Sequence, residues 1–256
     1  MIGDPVYARR FAADHAHVVG DLPLWRALAA AHGGPVLDLG AAVGRVAIPL
    51  AEDGHEVWAL DGDPNMLAEL AQRAAIAPEV AGRIRTIPAD IRDFDLGVRF
   101  PLAICAMNTL QVLLDVDDQL ACLRAVAAHL APGGAFWFDV AMPDVGEIAA
   151  SLGLIRDEGR NVDAETGMTR WHRSWFRGYD AIDGTAEYTH EVQDVAPDGT
   201  LTIHRQDHTV HLYQPPELLH LLARAGLRVV DRFGDFQRTP LDLGASHQVV
   251  CCEVDA

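Results

Sequence analysis

The chain has 256 residues, half of them apolar, and a formal charge of −17 from 37 acidic and 20 basic side chains. That size supports one well-buried core with an elaboration rather than two full enzymatic domains, and the acidic balance opposes both nucleic-acid backbones and anionic membrane surfaces. Every basic side chain is arginine, which removes lysine Schiff-base chemistry, and the four cysteines, Cys105, Cys122, Cys251 and Cys252, have neither zinc-site spacing nor the density of a secreted disulfide scaffold.

The N-terminal stretch to Gly20 is broken by Asp4, Arg9, Arg10, Asp14 and His15, so it predicts neither a signal peptide nor a membrane span, and a cytoplasmic location is expected. Residues 5–31 read as helical with Pro23 interrupting, and Gly33-Gly34-Pro35 ends the segment. Val36 to Leu39 predicts a strand covered on both faces, followed by a tight turn at Gly40 and Gly44 and a helix start. Val57 to Leu60 is a second strand with Asp61 at its carboxyl end, and Pro64 opens a helix through Met66, Leu67, Leu70 and Ala74. Arg83 to Ile87 and Leu102 to Ala106 are further strands, Asp117 to Leu130 an amphipathic helix, and Gly134 to Val140 a fifth strand. This alternation predicts a mostly parallel sheet in an α/β fold.

The pattern changes after Pro143. Residues 169–177, 185–192 and 201–211 alternate with period two, separated by turns at Asp183-Gly184 and Pro197-Asp-Gly199, which predicts an inserted antiparallel meander. A helix from Pro216 to Ala225, a strand from Leu227 to Asp231 and a last strand from His247 to Val254 complete the core. The expected organisation is a seven-stranded core from residues 1–145 and 213–256, its first 34 residues a helical cap, with 146–212 as the β-rich insertion.

A strand, a glycine turn and a helix start cradle nucleotide-like ligands in open α/β sheets, and Asp61 at the next strand end is placed to accept hydrogen bonds from ribose hydroxyls. The turn alone is equally ordinary punctuation or a dinucleotide site, although Ile48 and Pro49 stand where the dinucleotide pattern expects its third glycine. Six segments occur in one order: Leu37-Asp-Leu-Gly-Ala-Ala-Val-Gly-Arg45, Leu60-Asp-Gly-Asp-Pro-Asn-Met-Leu67, Ala89-Asp-Ile-Arg-Asp93, Met107-Asn-Thr-Leu-Gln111, Leu130-Ala-Pro-Gly-Gly134, and Glu217 to Leu227. Together they resemble the class I S-adenosylmethionine-dependent methyltransferases, of the small-molecule N- and O-methyltransferase type with a late β-rich substrate lobe. The resemblance implies a Rossmann-like fold, with S-adenosyl-L-methionine as cofactor and S-adenosyl-L-homocysteine as product. It implies in-line methyl transfer to an N, O or C atom of a small-molecule acceptor in specialised metabolism. The same fold also serves proteins that bind this cofactor for a cyclase, decarboxylase or hydroxylase reaction or only sense it, and that alternative stays open in the sequence.

Carried over residue by residue, the resemblance places Gly40, Ala42 and Gly44 along the methionine part of the cofactor, with Asp38 orienting the turn and the amino-acid end. It gives Asp61 the ribose, Gly62 and Met66 the adenosine pocket, Asp90 and Ile91 the adenine, and Met107 with Asn108 the neighbourhood of the sulfonium methyl. One departure is Ala42, where the family usually has glycine. Candidates for the chemistry are Tyr7, on a segment that in the resembling family closes over the cofactor, and Asn108 and Gln111 after the fourth strand, where open α/β sheets hold ligands. His15 and His17 read as solvated or capping side chains, and Asp139 either faces the acceptor or satisfies a local turn.

In the insertion, period-two geometry puts Trp171 and Trp175 on one face with Arg173 and Arg177, and His204 with His208 on one face of another strand. Trp171, Trp175, His208 and Tyr213 are the candidate acceptor contacts, against which stands the plainer reading of a sheet cover or a homodimer interface. His211 points away from His204 and His208, so no metal site is expected.

Overall fold

The computed structural model describes residues 4–162 and 166–255. Asp4 caps α1 (Pro5–His15), its Oδ1 accepting the Val6 N–H at 2.8 Å, while Pro5 fills a first-turn position that needs no donor. Pro23, expected to interrupt one helix, instead starts another. It lies in the first turn of α2 (Leu22–His32), where its missing N–H costs nothing, and Gly33 at φ 73° ends that helix. β1 (Val36–Leu39), buried at all four residues, leads through the glycine turn to α3 (Ala47–Glu52) and β2 (Val57–Asp61). Asp63 then caps α4 (Pro64–Ala74), accepting the Asn65 N–H at 2.9 Å. The alternation continues through α5 (Pro78–Ala81), β3 (Ile84–Pro88), β4 (Phe100–Cys105), α6 (Val116–His129) and β5 (Leu130–Ala141).

By its contacts the chain divides into two units, Met1–Met142 with Gln214–Ala256, and Pro143–Tyr213. The second contains α7 (Val145–Ser151), β6 (Arg156–Val162), β7 (Thr169–Asp180), β8 (Thr185–Val195) and β9 (Leu201–His211), paired antiparallel in that order. Its small core joins Ile148 of α7 to Ala186 and Leu212, with Phe176, Tyr179 and Val210 packed against them. The first unit closes with α8 (Pro215–Arg224), β10 (Leu227–Phe233) and β11 (His247–Val254).

The larger sheet has seven strands in the order β10-β11-β5-β4-β1-β2-β3. β1 to β5 run parallel, and β11 pairs antiparallel with both β5 and β10. From central β1 the chain steps outward to β2 and β3, then crosses back to β4 on the other side. The strand order therefore reverses between β1 and β4, where the carboxyl ends of the strands open a crevice. Fully buried Leu37, Leu102, Ile104, Phe136 and Phe138 make the sheet interior stiff on either side of that point.

Further elements depart from the sequence reading. β5 begins at Leu130 rather than Gly134, because Ala131-Pro-Gly-Gly, which reads as a turn, runs into the strand through a register shift against β4. Gly134 passes so close to the Phe100 carbonyl that a Cβ there would stand 2.7 Å from its oxygen. β6 and α7 have no counterpart in the reading: β6 is Arg-Asp-Glu-Gly-Arg-Asn-Val, an exposed edge strand with no buried face to impose an apolar period. Among the described residues, all four cysteines are buried and free, and no helix is long and apolar enough to cross a membrane.

Gly44 sits at φ 81°, and a Cβ there would lie 2.7 Å from Leu70 Cγ. Gly44→Ala is expected to lower the unfolding free energy by about 1–2 kcal/mol from left-handed strain alone, measured as a lower urea midpoint at unchanged slope.

Candidate active site

The turn after β1 places three residues in the left-handed region: Gly40 at φ 68°, Ala42 at 45° and Gly44 at 81°. Gly40 is also required by space, since a Cβ would overlap the Thr109 methyl, whose hydroxyl is fixed by donating to the Ala106 carbonyl at 2.8 Å. Ala42 has no such excuse, and a methyl-bearing residue adopts this conformation at a cost of about 1–2 kcal/mol. What holds it is Asp61. Its Oδ2 accepts the Ala42 N–H at 2.8 Å and its Oδ1 accepts the Asp63 N–H at 2.8 Å, so the carboxylate is pinned between the end of β2 and the turn. A carboxylate offers about four acceptor sites, which leaves capacity for ribose hydroxyls; burial pushes its pKa up from the ordinary value.

Arg45, next in the chain, reaches back to Asp21 with Nη1 at 2.6 Å and Nη2 at 2.7 Å and donates to the Val18 carbonyl at 3.2 Å. Asp21 also accepts the Trp25 indole N–H at 2.7 Å, which fastens the start of α2 to the turn. Nothing in the sequence reading anticipated this network, because Arg45 and Asp21 are 24 residues apart without periodic relation. Asp38 lies inside β1, 2% exposed, and its Oδ2 has no hydrogen-bond partner. Burial pushes its carboxyl up to about 7, with Asp61 adding to the rise and Arg45 opposing it.

Across the crevice, Met107 and Asn108 follow β4 as two consecutive left-handed residues, at φ 59° and 60°. Asp139 of β5 secures both: Oδ1 accepts the Met107 N–H at 2.7 Å and Oδ2 the Asn108 N–H at 3.2 Å. Of the two roles open for Asp139, it performs the local one. Burial pushes it up to about 7, while the two backbone N–H groups pull the other way. The Asn108 carboxamide oxygen is buried without a partner. Gln111 differs from expectation. It is 2% exposed and its carbonyl accepts the Ala141 N–H at 3.1 Å, so its acceptor ties the turn after β4 to the end of β5.

Helix α1 lies over the glycine turn, with Ala8 clustered on Val43 and Met66 and with Tyr7, Phe11, Ala12 and Ala42 packed around them. Tyr7 therefore stands beside the turn, its ring edge-on to Phe11 at 6.0 Å and under the Arg10 guanidinium at 5.7 Å. His15 donates from Nδ1 to the Phe11 carbonyl at 2.9 Å and stacks on that ring at 4.0 Å, and His17 is exposed. Gly62 is exposed beside buried Met66. Asp90 is exposed and engaged by Arg92, which donates from Nε and its backbone N–H to Oδ1, each at 2.9 Å, and from Nη2 to Oδ2 at 2.7 Å; this holds the carboxyl below its ordinary range. Ile91 beside it is half-buried.

In the second unit the four candidates do not form one patch. Trp171 pairs with Gln193 and Trp175 with Thr189, whereas His208 pairs with Tyr188, and the alternation of side chains puts the tryptophans and His208 on opposite faces. The tryptophan face is a charge ladder, with Arg205 on Glu191 and Arg177 on Asp207. The other face carries ring pairs, His172 on His190 at 5.7 Å and Tyr188 on His208 at 4.8 Å, and burial lowers the His208 pKa. Tyr213 is buried, its ring edge-on to His211 at 4.7 Å. Among the described residues no group of His, Cys, Asp and Glu could hold a metal ion.

The crevice thus presents a pinned strand-end carboxylate and two buried acceptors without donors, Asp38 Oδ2 and Asn108 Oδ1. These suit a ligand that brings hydroxyls and cationic N–H groups. Residues 36–134, which span the turn, Asp61 and Asn108, match the family described as a methyltransferase domain. That span is a methyltransferase domain.

The chain is similar in structure to the CcbJ methyltransferase from Streptomyces caelestis, 29% identical over 93% of this chain and 90% of that one, with a TM-score of 0.78. In sequence it is 31% identical over 111 residues to a cypemycin N-terminal methyltransferase of Streptomyces sp, covering 43% of each chain. It is 39% identical over 85 residues to a dTDP-4-amino-2,3,4,6-tetradeoxy-D-glucose N,N-dimethyltransferase of Saccharopolyspora spinosa, covering 28% of this chain and 34% of that one. The matches thus span less than half the length of these curated relatives.

Replacing Ala42 by Gly removes about 1–2 kcal/mol of left-handed strain against about 0.5–1 kcal/mol of added chain entropy. Ala42→Gly is therefore expected to raise the unfolding free energy by up to about 1.5 kcal/mol, read from chemical denaturation without cofactor.

Proposed function

We propose that the protein transfers a methyl group from S-adenosylmethionine to an amine nitrogen of a small molecule in specialised metabolism. The observation that carries this reading is the Asn108 carboxamide oxygen, buried without a partner at the point where the strand order reverses and held there by Asp139. It is an acceptor that an N–H or O–H donor of the acceptor molecule would satisfy. The two relatives favour nitrogen as the acceptor atom, one being an N-terminal methyltransferase and the other an N,N-dimethyltransferase. The non-methylating alternative finds no counterpart among the relatives named above.

When bound, the cofactor supplies a sulfonium methyl open to in-line displacement by a nucleophile. The chain's residues have the tasks of binding and alignment, which dominate such a transfer. Asp61 accepts the ribose hydroxyls while keeping the turn closed on itself through the Ala42 N–H. Asp38, whose Oδ2 is buried without a partner, would accept from the cationic amino-acid end. Asn108 accepts an N–H of the acceptor amine, orienting its lone pair, and Tyr7 with the rest of α1 shields the turn from water. An amine that arrives neutral needs no base.

Incubation with methyl-labelled cofactor and a panel of amino sugar nucleotides, peptides with free N-termini and simple phenols is expected to label amines and release adenosylhomocysteine. Label on phenols alone, or cofactor binding without product across the amines, would overturn the amine assignment. Asp61→Ala is expected to weaken cofactor binding by about 1.5–3 kcal/mol, the value of hydrogen bonds to a charged acceptor; calorimetry showing unchanged affinity removes Asp61 from the site.

A further inference from the structure

The crevice is short of positive charge. Three carboxylates, Asp21, Asp38 and Asp139, share the surroundings of one guanidinium, Arg45, and Asp21 already takes both of its Nη groups. No other cation is among the groups acting on Asp38 and Asp139, and Arg73 is engaged elsewhere in the glycine turn, donating to the Val43 carbonyl at 2.6 Å. Cys105, near Asp38 and Asp139, has its thiol pushed well above the ordinary value, and His247 on β11, near Asp21, is held toward its neutral form by burial. Asp61 adds further negative charge beside Asp38. Two backbone N–H dipoles are all that Asp139 receives by direct hydrogen bond, from the two left-handed residues that end β4. A buried carboxylate partnered only by dipoles gains strongly when a cation arrives in a low-dielectric crevice.

We propose that Asp139 is the positioning residue that makes the crevice prefer the cationic methyl donor over its neutral product: its carboxylate holds the Met107–Asn108 turn from below and places negative charge under the sulfonium. This rests on the cofactor reading given above. Donor and product share adenosine, ribose and amino-acid parts and differ at sulfur, by one methyl and one positive charge. A group that merely shaped the turn would act on both alike, whereas a charge acts on the donor. The consequence for turnover is easier release of product once the charge has left, without any change in the hydrogen bonds to Asp61 or Asp38.

The experiment compares S-adenosylmethionine with S-adenosylhomocysteine by calorimetry on the whole chain, wild type against Asp139→Asn, at pH 8. Asparagine keeps the shape and one acceptor but not the charge. Donor affinity is expected to fall about tenfold and product affinity less than about threefold, tenfold being the effect of one pKa unit of interaction. Equal losses for both ligands, or none for either, overturn the proposal. Should Asp139→Asn fail to fold, the wild-type preference is followed between pH 6 and pH 8. A carboxyl raised to about 7 is protonated below that pH and charged above it, so the donor preference is expected to grow with rising pH, and a flat ratio overturns the proposal. Because Asp38 titrates in the same range, the series is repeated on Asp38→Asn. Persistence of the rise there assigns it to Asp139, and its loss assigns the effect to Asp38 and overturns the proposal. Failure of the wild type to bind either nucleoside refutes the cofactor reading itself, a result distinct from an unchanged ratio.

Discussion

The crevice depends on the hydrogen bond from the Ala42 N–H to the Asp61 carboxylate. It joins the turn after β1 to the end of β2 across 19 residues of chain, and it keeps a methyl-bearing residue in the left-handed region that glycine would occupy without strain. The same carboxylate also caps the entry to α4 through the Asp63 N–H. One side chain therefore shapes the turn, orients the following helix and still offers acceptor capacity outward. Local strain at Ala42 persists because its surroundings leave the turn no alternative: α1 packs on it from one side, and the Arg45 to Asp21 pair anchors the turn to α2.

A second clamp mirrors the first on the other side of the strand-order reversal. Asp139 does for the turn after β4 what Asp61 does for the turn after β1, accepting backbone N–H groups from residues in the left-handed region. Both carboxylates stand near the ends of strands, where the sheet delivers them to one edge. Burial makes both reluctant to ionise, so in the absence of a ligand they oppose stability as pH rises through their raised pKa values. A cation in the crevice relieves that opposition, and binding is linked to stability through the groups that define the site.

Much of the core was legible in the chain because its signals are local. Val36 to Leu39 is an uninterrupted apolar run around one aspartate, Pro64 and Gly226 punctuate helices, and the meander alternates with period two between Asp-Gly turns. Where the reading slipped, the local signal was double-valued. Pro23 breaks a helix or begins one, and Ala131-Pro-Gly-Gly134 marks a turn or an irregular strand start. β6 left no signal, since an edge strand exposed along its length needs no apolar face.

The sequence by itself determined the order of the core strands, the glycine turn and the strand-end position of Asp61, because backbone propensity and side-chain period act between near neighbours. Tertiary structure alone decided the partners of the charged and polar groups. It sent Gln111 to the Ala141 N–H, Arg45 to Asp21 and Asp139 to the Met107–Asn108 turn, and it set Trp171 and Trp175 on the face opposite His208. A buried polar atom must find a partner wherever folding brings one. These partners lie 24 to 32 residues apart, beyond the reach of any periodic pattern.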